Sequence, residues 1–378
     1  MMDEQSSEEH LLRESVRRFV QKEILPHVEA WEEAGGFPRE LYQRAGAAGF
    51  LGLGFAVEDG GSGDDPLTIL AFTEEIMRCG SAGVVASLGS LGIALPPLAR
   101  WGHPALKQRI MPAVLSGEKI MALAVTEPGG GSDVAHLQTR AQRVGDEYVV
   151  TGNKTFITSG CRADYYTVAV RTGEAGAAGI SLLLIEADRP GFSRSAPLRK
   201  MGWWASDTAE LAFDAVRVPV DQLIGPENAG FYALMSNFQM ERLNLAVMAA
   251  TTADMALQAS LEYAQQRQAF GRKIAAFQVL KHRLAEMATE VAVCRHFNRQ
   301  VASSLARGED QVMAVSMAKN FATSVCDRVT HAAVQIFGGA GYMRGSLVER
   351  LYRDSRILSI GGGTHEIMNE VIARQMGL

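Results

Sequence analysis

Two apolar runs in the middle of the chain, Tyr165-Tyr-Thr-Val-Ala-Val170 and Ile180-Ser-Leu-Leu-Leu-Ile185, are joined by a loop with three glycines. Each run is too short for a helix and has the composition of a β-strand. Similar runs occur at Tyr148-Val-Val150 and Ala209-Glu-Leu-Ala-Phe213. Because no helical pattern separates these runs and the chain has no G-x-G-x-x-G, an antiparallel barrel or sandwich is favoured over a Rossmann domain.

Helical periodicity flanks this β region on both sides. Before it, apolar residues at helical spacing predict an opening helix that ends at Pro26, and Asp65-Pro66 predicts the start of a further helix. After it, two long apolar seams with spacings of three and four predict antiparallel helices in a bundle. The opening face is Leu12, Val16, Phe19, Val20 and Ile24, and the seams are Phe277, Leu280, Leu284, Met287, Val291 and Cys294, then Val315, Ala318, Ala322, Val325, Val329, Ala332 and Ile336.

Composition and charge exclude several classes of protein. The 378 residues include 37 Lys and Arg against 42 Asp and Glu, a balance that argues against binding nucleic acid by phosphate neutralisation. The four cysteines are scattered, and His365-Glu366 lacks a second zinc-ligating histidine, so no disulfide framework and no metal are expected. The acidic start and the lack of a long apolar stretch predict a cytoplasmic protein without a membrane segment, although a trimmed mitochondrial chain would look the same.

A glycine cluster in Leu123-Ala-Val-Thr-Glu-Pro-Gly-Gly-Gly-Ser-Asp-Val134 is the segment that points most sharply to a ligand. Three glycines let backbone N–H groups approach an anion or a planar ring, and Thr126 and Ser132 add hydroxyl groups. Taken alone, a glycine cluster of this kind is more often a simple turn than a ligand site. Thr158, within Gly152-Asn-Lys-Thr-Phe-Ile-Thr-Ser159, is placed to meet the same ligand.

These two segments together resemble the acyl-CoA dehydrogenase family of flavoproteins, through Val125-Thr-Glu-Pro-Gly-Gly-Gly-Ser-Asp133 and Lys154-Thr-Phe-Ile-Thr158. Further blocks in family order are Lys200-Met-Gly-Trp203, Ser206-Asp-Thr-Ala-Glu-Leu-Ala-Phe213, Gln266-Arg-Gln-Ala-Phe-Gly271, Gln335-Ile-Phe-Gly-Gly-Ala-Gly-Tyr342 and Ile360-Gly-Gly-Gly-Thr364. The resemblance implies an α+β fold with an N-terminal helical domain (residues 1–120), a middle antiparallel β-barrel (121–226) and a C-terminal four-helix bundle (227–378). It also implies a homo-oligomer, most often a tetramer.

The resemblance further implies FAD as the cofactor. The positions matched to the flavin site are Val125, Thr126, Gly131, Ser132, Phe156, Ile157 and Thr158. The positions matched to contacts with the FAD of a neighbouring subunit are Arg267, Phe270, Gln278, Gln335 and Gly339, and Thr364 and Glu366 match contacts near the active-site loop. A guanidinium such as that of Arg267 can bind phosphate in a bidentate fork, but without the surrounding motif it would be read as a solvated surface charge.

The catalytic base is expected at Glu241. Many family members carry a glutamate directly before the Gly-Thr of the last block, where this chain has Gly362. The isovaleryl and long-chain types instead place the glutamate on an earlier helix, directly before an arginine, and Glu241-Arg242 matches that pattern. The competing carboxylates are Glu227, Glu262 and Glu366.

The function implied is dehydrogenation of an acyl-CoA thioester to the trans-2-enoyl-CoA. Glu241 would take the α-proton, flavin N5 the β-hydride, and the backbone N–H of Gly362 would stabilise the thioester oxygen. Ser132 and Arg242 match substrate contacts, and an electron-transfer flavoprotein would accept the electrons.

The small residues Gly361 and Gly362 predict a branched or medium-to-long acyl chain, lined by residues 88–98. The alternatives are an acyl-CoA oxidase, an acyl-carrier-protein dehydrogenase, a DNA-associated flavoprotein and an assembly protein that keeps FAD without catalysis.

Overall fold

A computed structural model of the protein describes residues 2–378, with side chains described from residue 7 onward. The helices are α1 (Met2–Phe19), α2 (Val28–Ala34), α3 (Glu40–Ala47), α4 (Pro66–Ile76), α5 (Ala82–Leu88), α6 (Leu91–Ala94), α7 (Pro96–Trp101), α8 (Pro104–Leu115), α9 (Gly230–Gln266), α10 (Gln278–Ala306), α11 (Val312–Phe337), α12 (Gly339–Tyr342), α13 (Leu347–Ser355) and α14 (His365–Gln375). The strands are β1 (Met121–Ala124), β2 (Arg140–Val144), β3 (Glu147–Thr158), β4 (Tyr165–Arg171), β5 (Ile180–Glu186), β6 (Phe192–Arg194), β7 (Thr208–Pro219), β8 (Leu223–Ile224), β9 (Gln268–Ala269) and β10 (Arg272–Lys273).

The N-terminal helices follow the local signals in the sequence. Asp65 caps α4 by accepting a hydrogen bond of 2.8 Å from the Thr68 backbone N–H, and Pro66 occupies the first helical position. The predicted opening helix changes to one π-helical segment at Val20–Ile24, and its apolar face stays buried there. Within residues 2–378 no single helix is long and apolar enough to cross a membrane; α5 with Leu91–Trp101, bent by 45°, passes that test only as a pair, and most of this pair is buried.

An eight-stranded sheet occupies the middle of the chain. Its strand order is β6-β7-β3-β2-β4-β5-β8, and β1 pairs with β4 outside this path. Most neighbours are antiparallel, whereas β1 with β4 and one residue pair between β2 and β4 are parallel. The α+β class predicted from the sequence is confirmed. A 3₁₀ turn, β2 and β3 intervene between β1 and β4, and β3 alone intervenes between β2 and β4, so in both cases the chain returns in the same direction.

Three long helices, α9, α10 and α11, form the C-terminal bundle with α13 and α14 packed on α11. Small buried residues let the backbones of α9 and α11 approach closely, among them Ala249, Ala253, Ala318 and Ala322. The first half of α9, α5, the end of β1 and the segment before α14 all contribute lining residues to the cavity described next.

Candidate active site

One cavity of about 980 Å³ lies where the three parts of the molecule meet. Its walls come from α4 and α5, the loop after β1, the end of β3, the first half of α9 and the turn before α14. Most lining side chains are apolar. The charged lining residues are Glu127, Asp133, Glu241 and Arg242. Such a concave, largely apolar space with few polar groups is typical of a binding site for an organic ligand.

The glycine cluster forms a tight turn at the mouth of this cavity. The backbone N–H of Gly130 donates to the Glu127 carbonyl at 3.0 Å, and the Glu127 N–H donates back at 3.2 Å. A Cβ atom added at Gly129 or Gly130 would meet nothing within 4 Å. A side chain at either position would therefore clash with no other part of the chain. The absence of side chains instead leaves the backbone open to a ligand.

A buried ion pair between Lys154 and Glu127 stabilises this turn. The Lys154 ammonium, fully buried on β3, donates to Glu127 Oε1 at 2.8 Å and to the Val125 carbonyl at 2.9 Å. Glu127 also accepts hydrogen bonds from the backbone N–H groups of Gln138 (2.6 Å) and Thr139 (2.8 Å). Burial lowers the pKa of Lys154 to about 8, against the opposing effect of Glu127. The pair fixes the segment that carries the predicted flavin contacts.

The residues predicted to hold the flavin ring lie together on this cavity. Val125, Thr126, Gly131, Ser132, Phe156, Ile157 and Thr158 all line it. Phe156 is 69% exposed and has a φ of +60°, an uncommon backbone conformation for an aromatic residue. An exposed ring beside open glycine backbone and three hydroxyl groups fits a planar, polar-edged ring system such as a flavin.

Most of the residues predicted to contact the FAD of a neighbouring subunit or the active-site loop lie away from the cavity. Arg267, Phe270, Gln278, Gln335, Gly339 and Glu366 are all exposed and do not line the cavity, whereas Thr364 does. Phe270 is 94% exposed, with a φ of +52°, at the tip of the β9–β10 hairpin. Tyr263, one turn before the end of α9, stacks on Phe337 at the end of α11, with ring centroids 4.1 Å apart. Within one chain the structure therefore does not bring these exposed residues to the flavin-ring set.

Glu241 projects from α9 into the cavity. Its Oε2 atom is buried and has no hydrogen-bond partner among the described residues. Burial raises the pKa of Glu241 to about 7, while the nearby cations of Arg242 and Lys319 act in the opposite direction. A carboxylate with no protein partner and a pKa close to neutrality is suited to take a proton from a bound ligand.

The turn before α14 lies directly against this carboxylate. A Cβ atom added at Gly362 would be 3.3 Å from Glu241 Oε1 and 2.6 Å from Leu245 Cδ1. The position where many family members carry their glutamate thus lies beside the Glu241 carboxylate. Gly362 has a φ of +66° and the following Gly363 a φ of +103°, conformations that side-chain-bearing residues rarely adopt.

Two cations hold consecutive carbonyl groups of this turn. Arg242 Nε donates to the Gly362 carbonyl at 3.1 Å, and the buried Lys319 Nζ donates to the Gly363 carbonyl at 2.6 Å. Asn320, next to Lys319 on α11, donates to the His365 carbonyl at 3.0 Å. The backbone that carries the predicted oxyanion donor is therefore fixed from two helices.

The competing carboxylates lie away from this arrangement. Glu227 accepts a hydrogen bond from the Tyr148 hydroxyl at 3.0 Å, and the exposed Glu262 accepts one from Gln266 at 3.2 Å. Glu366 is exposed at the start of α14. None of the three lines the cavity, and residues 2–378 contain no group of three or more His, Cys, Asp or Glu able to hold a metal ion.

Sequence reasoning identified some lining residues and missed others. Of the predicted acyl-chain segment, residues 88–93 line the cavity, whereas Ala94, Leu95 and Leu98 are buried in the core. The roles of Lys154 and Lys319 were missed. A signal was available for both, because Lys154 shares the inward register of Tyr148 and Val150, and Lys319 interrupts an apolar helical seam.

We expect the rate of proton abstraction by Glu241 to rise with pH through about 7, because the base must be ionised and its pKa is raised to about 7. The charged groups near Glu241 are Arg242 on its own helix and Lys319 on α11; the cavity-lining residues of α5 and of the turn before α14 carry no charge. Replacing Lys319 by Met removes a cation, so the acidic limb of the pH–rate profile should move to higher pH.

Asn320→Ala is the matched control, since it removes a hydrogen bond to the same turn without removing charge. The pH–rate profiles of all three proteins are measured by stopped-flow absorbance between pH 5 and 9. The electrostatic effect would be contradicted if the acidic limb of the pH–rate profile stayed in place in Lys319→Met. It would also be contradicted if that limb moved equally far in Asn320→Ala.

Comparisons with known proteins agree with this geometry. Three family models match the chain, the acyl-CoA dehydrogenase N-terminal domain over residues 6–118, the middle domain over 122–216 and the C-terminal domain over 228–377. The chain is 40% identical over 377 residues to the mitochondrial long-chain specific acyl-CoA dehydrogenase of Rattus norvegicus, covering 98% of this chain and 87% of that protein.

Two solved structures share the fold closely. The crystal structure of a probable acyl CoA dehydrogenase from Mycobacterium abscessus has a TM-score of 0.96 at 52% identity, covering 97% of this chain and 98% of that one. A chain in a structure of the electron transferring flavoprotein of Acidaminococcus fermentans has a TM-score of 0.93 at 34% identity, covering 97% of each chain. From the cavity, the glycine turn and these matches together, the chain belongs to the acyl-CoA dehydrogenase family of flavin-dependent oxidoreductases.

Proposed function

We propose that the protein binds FAD and dehydrogenates an acyl-CoA thioester to the trans-2-enoyl-CoA, with Glu241 as the base. The observation that carries this proposal is the buried, unpartnered Glu241 carboxylate, which shares a cavity with the open glycine turn and the exposed Phe156 ring. Membership of the family supports the type of reaction, a flavin-dependent oxidation. The arrangement of the cavity residues supports the role proposed for each side chain.

The chemistry requires a carboxylate in this position. An α-proton of a thioester is a weak acid, and its removal by a positioned base typically contributes about 10²- to 10⁴-fold to the rate. The bound flavin supplies the acceptor for the β-hydride. Negative charge grows on the thioester oxygen as the proton leaves, and the backbone N–H of Gly362 is the proposed donor to it. Arg242 and Lys319 hold the carbonyl groups of Gly362 and Gly363, the two that follow this N–H in the chain, and so restrain the backbone that carries the donor.

The proposed substrate has a branched or a medium-to-long acyl chain. The cavity extends past Glu241 to apolar residues of the N-terminal helices, including Phe50, Ile69 and Phe72. Gly361 and Gly362 add no side chain of their own to the turn that lies against the Glu241 carboxylate. The similarity to a long-chain specific enzyme supports the same choice.

The exposed set on the bundle is proposed to complete the FAD site of a neighbouring copy. Arg267, Phe270, Gln278, Gln335 and Gly339 lie on surfaces near the ends of α9 and α11 and the start of α10, where their side chains or backbone are open to contact. A homo-oligomer, in the family's usual tetrameric form, would place these residues against the partner's adenosine and pyrophosphate. We propose an electron-transfer flavoprotein as the electron acceptor, because a chain in such a structure shares this fold.

Anaerobic titration with a panel of acyl-CoA thioesters tests the function. We expect bleaching of the visible flavin absorbance, as the flavin is reduced to its two-electron form, with little peroxide formed when air is admitted. Butyryl-CoA and an octanoyl-carrier-protein thioester serve as comparison substrates. Absence of bleaching by every thioester would overturn the function, exclusive bleaching by butyryl-CoA would overturn the chain-length proposal, and rapid peroxide formation would identify an oxidase.

A further inference from the structure

Asn244 is a polar residue in an apolar part of the cavity wall. It lies three residues after Glu241 on α9 and lines the same cavity, followed by Leu245 and Met248 on the same face. The Asn244 Oδ1 atom is buried and has no hydrogen-bond partner among residues 2–378. An amide oxygen in this state is destabilising unless something outside the chain supplies a donor.

Two hydroxyl side chains of the cavity wall are satisfied within the chain, whereas Trp203 has a buried Nε1 atom that also lacks a partner but is a donor and not an acceptor. Thr73 donates its hydroxyl to the Ile69 carbonyl at 2.9 Å, and Ser90 donates to the Met121 carbonyl at 3.2 Å. Glu241 is the other lining residue of α9 with a buried polar atom that lacks a partner, and it faces the reacting carbons. Asn244 therefore shares with the base the property of an unpaired polar atom on the cavity wall.

We propose that Asn244 accepts a hydrogen bond from a hydroxyl group on the acyl chain, so that the preferred substrate is a hydroxyacyl-CoA. This inference rests on the proposed function and names the substrate class of the same site. In this proposal the acyl chain runs along α9 from Glu241 towards Asn244, where three residues of α-helix advance about 4.5 Å, or roughly three or four carbon–carbon bonds beyond the α-carbon. The hydroxyl is therefore expected at C5 or C6.

The hydroxyl group takes no part in the reaction. The α-proton leaves C2 to Glu241 and the β-hydride leaves C3, so the product keeps its hydroxyl and gains one C2–C3 double bond. Asn244 acts by holding the chain in one register against the base. A binding site that provides a hydrogen-bond partner for a substrate hydroxyl discriminates strongly against the analogue that lacks it, because the partner is then left unpaired.

The experiment compares octanoyl-CoA with 4-, 5- and 6-hydroxyoctanoyl-CoA on the FAD-loaded wild type and on Asn244→Leu, which keeps the approximate shape but removes the amide. The readout is kcat/KM from flavin reduction. We expect the wild type to prefer the 5- or 6-hydroxy isomer by at least about tenfold, and Asn244→Leu to reduce that ratio by about tenfold or more. Met248→Leu, an apolar exchange one turn further on α9, should change both substrates in the same proportion.

The outcomes separate this inference from the proposed function. If octanoyl-CoA reduces the flavin but no hydroxy isomer is preferred, or if Asn244→Leu leaves the ratio within tenfold, the inference is overturned and the dehydrogenase function stands. A bound water that satisfies Asn244 would give this result. If no thioester reduces the flavin, the proposed function itself fails. An Asn244→Leu protein that does not fold is replaced by Asn244→Val, judged by the same ratio.

Discussion

Glu241→Gln should lower the rate of flavin reduction by an acyl-CoA by about 10²- to 10⁴-fold, the range typical of losing a general base. The amide has almost the same shape as the carboxylate, so the cavity wall and the packing of Gly362 against it are preserved. Oε2 has no protein partner, and exchange of the acid for an amide therefore breaks no internal hydrogen bond at that atom. Stopped-flow absorbance under anaerobic conditions, at saturating substrate and pH 8, measures the effect.

Glu262→Gln is the matched control, because it makes the same chemical change on the same helix at an exposed position outside the cavity. Its rate should equal that of the wild type. The dissociation constant of the substrate should change little in Glu241→Gln, since a base acts in the transition state rather than in binding. Full activity in Glu241→Gln would remove the base assignment and return attention to the remaining carboxylates.

Gly362→Ala should lower the same rate on the order of 10²-fold, since displacing catalytic groups by about 1 Å can have an effect of that size. The added methyl would lie 2.6 Å from Leu245 Cδ1 and 3.3 Å from Glu241 Oε1, and the φ of +66° disfavours any side chain. Either response, a rotated base or a shifted turn, disturbs the alignment of the base with the proposed oxyanion donor. Flavin reduction and thermal unfolding should be measured together.

Gly308→Ala is the control that separates the effect of backbone strain at a positive φ from the effect of a methyl group next to Glu241. Gly308 has a φ of +76° in the α10–α11 connection, and a Cβ atom there would meet nothing within 4 Å. Gly308→Ala should lose about 1 kcal/mol of stability from its backbone conformation alone, less than Gly362→Ala with its added steric contact, and should keep the rate of the wild type. Equal rates in wild type and Gly362→Ala would show that the turn does not need its present form for the reaction.

Local signals predicted most of the fold. The Asp65-Pro66 cap, the opening apolar face and the helical seams after residue 270 each depend on residues close in sequence, and each forms an element where predicted. The parallel pairing of β1 with β4 could not be read from the same patterns, because strand partners 44 residues apart are chosen by the packing of the whole sheet.

The candidate site divides in the same way. Glu241 and the glycine cluster could be identified because each belongs to a short motif. Contacts such as Lys319 with the Gly363 carbonyl join segments 44 residues apart, and nothing near either residue specifies the other. Asn244 has no motif at all, and only its place on the cavity wall distinguishes it from any other helix residue.

The proximity of Gly362 to the Glu241 carboxylate has a consequence for how such enzymes diversify. The acidic group can be delivered to one small volume from either of two backbone segments more than a hundred residues apart. Transfer of the acid from one segment to the other needs no movement of the reacting carbons, and it exchanges a side chain on one segment for space on the adjacent one. A lineage can therefore remodel which acyl groups it accepts while the proton-abstracting step keeps the same location.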